Sequence, residues 1–204
     1  MFSFAAILAG GRNARIGRPK AFLEAGGAPF IERTLEILRE RFETVAISTN
    51  DPEDYFRLGA PLVGDVYTAE GPMSGIFSAL SWSGAEEAFI TACDMPFIRP
   101  ELVDLMIARY LELKLEKGGK ADALAPVWNG KPEPLLSFYS SGCMAAMEPR
   151  IISGRTGLAA FLKDMNADFL DEAAVRKADP AGASFFNVNT PEDLEMARTL
   201  RAAG

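Results

Sequence analysis

Short, uninterrupted apolar runs that stop at glycine or acidic residues alternate along this chain with stretches of helical periodicity. Residues 4–8 form the first run and end at Gly10-Gly11, the pattern of a buried strand. Pro29 can occupy a first helical position, and Phe30, Ile31, Leu35, Ile37 and Leu38 supply a broad apolar face for a helix reaching Glu40. Residues 45–48 read as a second strand. Asn50-Asp51-Pro52 predicts a short helical turn, and residues 61–63 a strand before Gly64-Asp65. A helix is expected over 75–82 and a buried strand over 88–92, which ends at Cys93-Asp94-Met95-Pro96. The longest helix should run from Pro100 to about Lys117, before the loop at Gly118-Gly119. Strands at 123–126 and 135–139 flank a Pro/Gly-rich turn. Helices at 143–147 and 157–165, a last strand at 185–188 and a last helix at 191–201 complete the pattern.

Strands separated by helices require crossover connections, so the expected fold is α/β: a three-layer α/β/α arrangement around a mainly parallel, mixed sheet. Ligands of such a sheet bind at the carboxyl ends of its strands. The glycine loop after residue 8, Gly64-Asp65 and Cys93-Asp94 all fall there. Neither a repeat nor a low-complexity linker interrupts the pattern, and residues 1–204 read as a single domain.

Composition narrows the chemistry. A net charge of −7 argues against a surface that tracks a nucleic-acid backbone. The apolar runs are too short to span a bilayer and no cationic leader is evident, so a cytoplasmic protein without membrane contact is expected. Cys93 and Cys143 lack metal-site spacing and read as buried or idle thiols. No histidine occurs, which excludes Ser-His-Asp and Cys-His catalysis and leaves carboxylates and amides as metal ligands, a set that suits magnesium.

Against the acidic background, Gly10 to Lys20 holds four cations, Arg12, Arg15, Arg18 and Lys20, and no acid. Glycines let backbone N–H groups approach phosphates while Arg and Lys neutralise their charge, the combination a triphosphate needs. The loop matches neither the P-loop nor the dinucleotide fingerprint. Asp94 projects from the end of a fully apolar strand, either to hold magnesium or to accept backbone hydrogen bonds in a turn. Asp65 sits at another strand end and carries a weaker form of the same reading, while Asn50, in the turn and helix-start sequence Asn-Asp-Pro, has its strand-end position as its claim to function. Thr190, Pro191 and the acids after them make a helix start, whereas Asn187 and Asn189 share one side of an extended segment, where one could face metal or nucleotide.

Four ordered blocks resemble molybdenum cofactor guanylyltransferases: Leu8-Ala9-Gly10-Gly11 with Arg15, Gly17 and Lys20; Gly71-Pro72-Met73-Ser74-Gly75; Cys93-Asp94-Met95-Pro96-Phe97; and Asn187-Val188-Asn189-Thr190-Pro191-Glu192-Asp193-Leu194. The resemblance spans nearly the whole chain. It implies a nucleotidyltransferase fold of the glycosyltransferase-A type and transfer of GMP from GTP to molybdenum-molybdopterin, with pyrophosphate released. It implies nucleotide contacts from Leu8, Ala9, Gly10 and Gly11, a GTP site completed by Lys20, Asn50 and Asp65, and magnesium on Asp94. Pro134 falls in the segment that lines the acceptor side, and Asn187 and Asn189 are candidates to join it. Gly10 stands where related cytidylyltransferases tend to have alanine, which tilts the base toward guanine. Pro19, Asn13 and Glu133 depart from the usual pattern, Glu133 standing where many relatives have glutamine.

Arg15 and Lys20 are expected to stabilise the transferring phosphate, with Asp94 completing the catalytic set. Transient contact with cofactor-accepting molybdoenzymes or their chaperones is expected. The alternatives at this point are a cytidylyltransferase, a sugar- or polyol-phosphate nucleotidyltransferase, and a nucleotide-binding regulator without turnover.

Overall fold

The computed structural model describes residues 1–10, 19–25, 27–68, 71–119 and 121–202. In chain order, β1 (Phe2–Leu8) leads to α1 (Phe30–Arg39), β2 (Phe42–Ser48), the short α2 (Pro52–Tyr55) and β3 (Leu62–Val63). Then come α3 (Pro72–Ser83), β4 (Glu87–Ala92), α4 (Pro100–Glu116), β5 (Ala123–Trp128), β6 (Lys131–Pro132) and β7 (Leu136–Ser140). The chain ends with α5 (Met144–Ile152), α6 (Leu158–Asp164), β8 (Ala167–Leu170), α7 (Glu172–Ala178) and α8 (Pro191–Ala202).

Among the described residues these strands make one sheet in the order β3-β2-β1-β4-β7-β5, with both β6 and β8 pairing β5. β1 lies between β2 and β4, parallel to both, and β2 is parallel to β3. β7 runs antiparallel to β4 and β5, so the sheet is mixed, as the sequence predicts. The reversal follows from the β5–β6 hairpin, whose turn residues Asn129 and Gly130 take positive φ angles of 49° and 71°.

Alternation along β1 divides the core into two layers. Ala5 and Ile7 pack with Ile31, Leu35 and Leu38 of α1 and Leu102, Val103 and Met106 of α4 on one face. Ala6 and Leu8 pack with Met73, Ile76 and Leu80 of α3 and Phe161 of α6 on the other. A strand covered on both faces must be apolar almost throughout, which is why 4–8 and 88–92 stand out in the sequence, with Thr91 the one buried hydroxyl residue in the second run.

One predicted strand is absent. Residues 185–188 join no ladder: Ala183–Phe185 is a short 3₁₀ turn, and its amides have other partners. The Ala183 and Ser184 N–H groups donate to the two carboxylate oxygens of buried Asp179, at 2.9 and 2.7 Å. The Val188 N–H donates to the Asp94 carbonyl at 2.9 Å, while the Val188 side chain packs beside Leu23, Phe30 and Ala197. β8 and α7 go beyond the predicted elements, and α5 continues through Pro149 rather than ending near Met147.

The Phe185 ring stacks on Trp128, with centroids 5.1 Å apart and planes within 2°, while the Arg176 guanidinium lies 4.1 Å from the Trp128 ring centroid. Gly182, at φ +67°, lies so near that an added Cβ would come within 2.0 Å of Trp128 Cζ2. Gly182→Ala combines left-handed strain with overpacking. It should cost about 2–4 kcal/mol, read as a lower urea midpoint with little change in slope.

Candidate functional site

The parallel strands end along one edge of the sheet, and backbone hydrogen bonds tie those ends together beyond the strands themselves. Ala9 N–H donates to the Ser48 carbonyl at 2.8 Å, Cys93 N–H to the Leu8 carbonyl at 3.0 Å, and Thr49 N–H to the Val63 carbonyl at 2.9 Å. Leu8-Ala9-Gly10, Asn50, Asp65 and Asp94 therefore leave the sheet side by side. Leu8 and Ala9 are buried, and Gly10 is exposed at the edge.

Asn50 and Asp65 clasp each other: Asn50 Nδ2 donates to Asp65 Oδ2 and Asp65 N–H donates to Asn50 Oδ1, each at 2.9 Å. Beside them α3 approaches closely. A Cβ on Gly75 would lie 3.0 Å from Ser48 Oγ, 3.3 Å from Leu8 Cδ2 and 3.7 Å from Asp65 Oδ1. Glycine is what lets the helix sit against the ends of β1 and β2.

Lys20 opens a short 3₁₀ turn, Lys20–Phe22. Its Nζ donates to Asn189 Oδ1 at 2.6 Å and meets Asp94 Oδ2 at 3.4 Å. Asn189 is placed by the start of α8. There the Asp193 carboxylate accepts the Asn189 and Thr190 N–H groups, both at 2.9 Å, and the Asp193 N–H donates to Thr190 Oγ1 at 3.2 Å. Those backbone donors hold the Asp193 carboxyl below the usual range. The bond from Val188 N–H to the Asp94 carbonyl brings this whole segment onto the end of β4.

Lys20, Asp94 and Asn189 thus converge, as do Asn50 and Asp65. Asn187 is half-buried and makes no bond to Lys20 or Asp94 among the described residues. Gly11 and Arg15 lie outside the described residues, as do Asn13 and Gly17 of the same loop.

Because β7 is reversed, its beginning reaches this edge and brings Glu133-Pro134 there. Glu133 N–H donates to the Pro126 carbonyl at 2.9 Å, Glu133 Oε1 accepts the Leu135 N–H at 3.0 Å, and the Tyr139 hydroxyl donates to the Pro134 carbonyl at 2.9 Å. Burial pushes the Glu133 carboxyl up, the Leu135 N–H draws it back in part, and the charge of Asp94 pushes it up further.

The edge also holds a residue that the sequence pattern does not single out. Tyr55 ends α2, is 2% exposed, and donates its hydroxyl to the Ala9 carbonyl at 3.2 Å. An aromatic residue closing a Pro-started turn directly after Asn50 was the available signal.

A family model described as a MobA-like NTP transferase domain matches residues 5–171. A probable molybdenum cofactor guanylyltransferase of Pelotomaculum thermopropionicum is 37% identical over 194 residues, covering 95% of this chain and 91% of that protein. A molybdenum cofactor guanylyltransferase of Desulfosudis oleivorans is 32% identical, with 97% and 95% covered. The crystal structure of a molybdopterin-guanine dinucleotide biosynthesis protein A from Archaeoglobus fulgidus superposes with a TM-score of 0.79 at 30% identity, over 98% of this chain and 99% of that one. A 2-C-methyl-D-erythritol 4-phosphate cytidylyltransferase from Thermus thermophilus shares the fold, with a TM-score of 0.67 at 17% identity, covering 98% of this chain and 100% of that one.

Burial is the main reason that the Cys93 and Cys143 thiols are each pushed up to about 12. At pH 8 only roughly one molecule in ten thousand then carries a thiolate at either position. Both cysteines should resist iodoacetamide at pH 8 in the native chain and be alkylated within minutes once urea unfolds it, as followed by mass spectrometry.

Proposed function

Because the chain belongs to the MobA-like NTP transferase family, we propose that it transfers GMP from GTP to molybdenum-molybdopterin, forming the molybdopterin guanine dinucleotide cofactor and pyrophosphate. The observation that carries this reading is the convergence of Lys20, Asp94 and Asn189 where β1 and β4 end. The names of the relatives support the choice of substrates. Residues 1–204 act as one nucleotidyltransferase domain.

An oxygen of the acceptor's terminal phosphate attacks the α-phosphorus of GTP in line. The new P–O bond forms as the bond from the α-phosphorus to the bridging oxygen breaks, and pyrophosphate leaves with that electron pair. A phosphate monoester has a second pKa of about 6, so the nucleophile is largely a dianion at neutral pH and needs no general base. The protein's work is to align two anions and absorb their charge.

Leu8, Ala9, Gly10 and Gly11 form the nucleotide side with Asn50 and Asp65, whose mutual bonds present them as one rigid unit. Lys20, and Arg15 from the preceding loop, neutralise the transferring and departing phosphates. At 3.4 Å from Asp94, the Lys20 ammonium is weakly engaged there and can turn to a phosphate oxygen. Pro134, Asn187 and Asn189 line the acceptor side.

Asp94 fits a magnesium ion. It is a half-buried carboxylate at a strand end, and the described residues hold no cluster of three metal-ligating side chains, so substrate phosphates and water would fill the remaining positions. When bound, magnesium supplies charge neutralisation at the phosphates. No helix among the described residues is long and apolar enough to cross a membrane. A cytoplasmic enzyme that passes its product by transient contact to molybdoenzymes or their chaperones completes the reading.

The test is pyrophosphate release with GTP, CTP and ATP, each with and without molybdenum-molybdopterin. Release with GTP plus the pterin alone is expected. Preference for CTP, or nucleotide binding without release under every pairing, would overturn the proposal. Asp94→Ala should abolish turnover with the circular dichroism spectrum retained. Lys20→Ala should lower kcat at least tenfold, because a charge-assisted hydrogen bond of about 1.5–3 kcal/mol exceeds the roughly 1.4 kcal/mol that a decade requires.

A further inference from the structure

Tyr55 touches both ends of the segment that joins Gly10 to Lys20. Its hydroxyl donates to the Ala9 carbonyl at 3.2 Å, and its ring lies 5.1 Å from that of Phe22, two residues beyond Lys20. It ends the short helix that follows Asn50, so three parts of the nucleotide side meet around one side chain.

The Ala9 N–H is the last donor of β1 toward β2, reaching the Ser48 carbonyl at 2.8 Å. The Ala9 carbonyl has left the ladder and takes the Tyr55 hydroxyl instead. In a trans peptide the C=O and N–H point in opposite directions. With the carbonyl held by a side chain only 2% exposed, the Gly10 N–H faces the opposite way, away from Tyr55, at an exposed residue whose Cβ position has nothing within 4 Å. A peptide that precedes glycine flips readily, because glycine accepts either sign of φ. The orientation therefore needs a pin.

We propose that Tyr55 is a positioning residue: its hydroxyl fixes the Ala9–Gly10 peptide so that the Gly10 N–H is presented to the nucleotide, while its ring braces the turn that carries Lys20. This rests on the GTP reading given above. Burial pushes the Tyr55 phenol well up, so the hydroxyl keeps its proton at every pH at which the protein would be assayed.

Tyr110 provides a matched control. It is 1% exposed and donates its hydroxyl to the Ala121 carbonyl at 3.3 Å, just before β5 begins and so at the opposite edge of the sheet. Tyr55→Phe and Tyr110→Phe each remove one buried phenol-to-carbonyl bond, and both should lower the thermal midpoint.

Calorimetric GTP affinity with magnesium, together with steady-state kinetics on the same proteins, separates positioning from general destabilisation. Tyr55→Phe should weaken GTP binding and raise KM for GTP about three- to tenfold, with a smaller fall in kcat. Tyr110→Phe should leave GTP affinity at the wild-type value. Equal affinities in Tyr55→Phe and wild type, or equal losses in the two variants, would overturn the inference. Wild-type protein that binds GTP but releases no pyrophosphate with the pterin would instead sink the proposed activity, and the two Kd values would still decide the role of Tyr55.

Discussion

The parallel pairing of β1 with β2 on one side and β4 on the other is the constraint from which the site follows. Parallel neighbours share a direction, so their carboxyl ends emerge together, and each needs a crossover that covers a face of the sheet. Ala5, Ala6 and Ile7 at the centre have no exposed surface, which fixes the register of β1, since a slip of one residue would exchange its two buried faces. The bonds from Ala9 to Ser48 and from Cys93 to Leu8 carry that register into the loops. Side chains separated by tens of residues in sequence, such as Lys20 and Asp94, thereby become neighbours.

Electrostatics within this frame are modest and local. The Lys20–Asp94 pair is partly exposed and long, and such a pair contributes little to stability. It holds a cation and an anion in readiness close to each other, in a protein whose overall charge is −7. The strong placement comes from backbone donors instead: those on the Asp193 carboxylate that fix Asn189, and those on Asp179 that fix the turn before it.

Much of the site was legible because buried parallel strands have an unmistakable apolar signature and their ends are marked by glycine or acid. The places of Gly10, Asp65 and Asp94 at strand ends are readable that way, and Asn189 stands out as an amide that the Thr190-Pro191 helix start leaves unexplained. The strand predicted at 185–188 failed for a physical reason: its apolar residues are used in packing against Trp128, Leu23 and Phe30, while its backbone donors go to the carbonyls of Gly182, Ala183 and Asp94. A window of sequence carries no trace of either. β8 was missed because it is a four-residue edge strand with a short apolar run. Tyr55 was missed because nothing local marks the carbonyl it meets 46 residues away.

The reversal of β7 has a consequence for how the molecule can vary. The edge that carries Gly10, Asn50, Asp65 and Asp94 is made of segments leaving parallel strands, each tied to its neighbour by backbone bonds. Glu133-Pro134 arrives instead on a turn entering a strand from the β5–β6 hairpin, and hangs on that hairpin through the Pro126 carbonyl. Lengthening or reshaping the hairpin would move Glu133-Pro134 while leaving the parallel ladders of β1 with β2 and β4 in place. One part of this edge is thus built as a fixed socket and the other as an adjustable jaw, so the placement of Glu133-Pro134 can change through substitutions confined to a few residues near the Asn129-Gly130 turn.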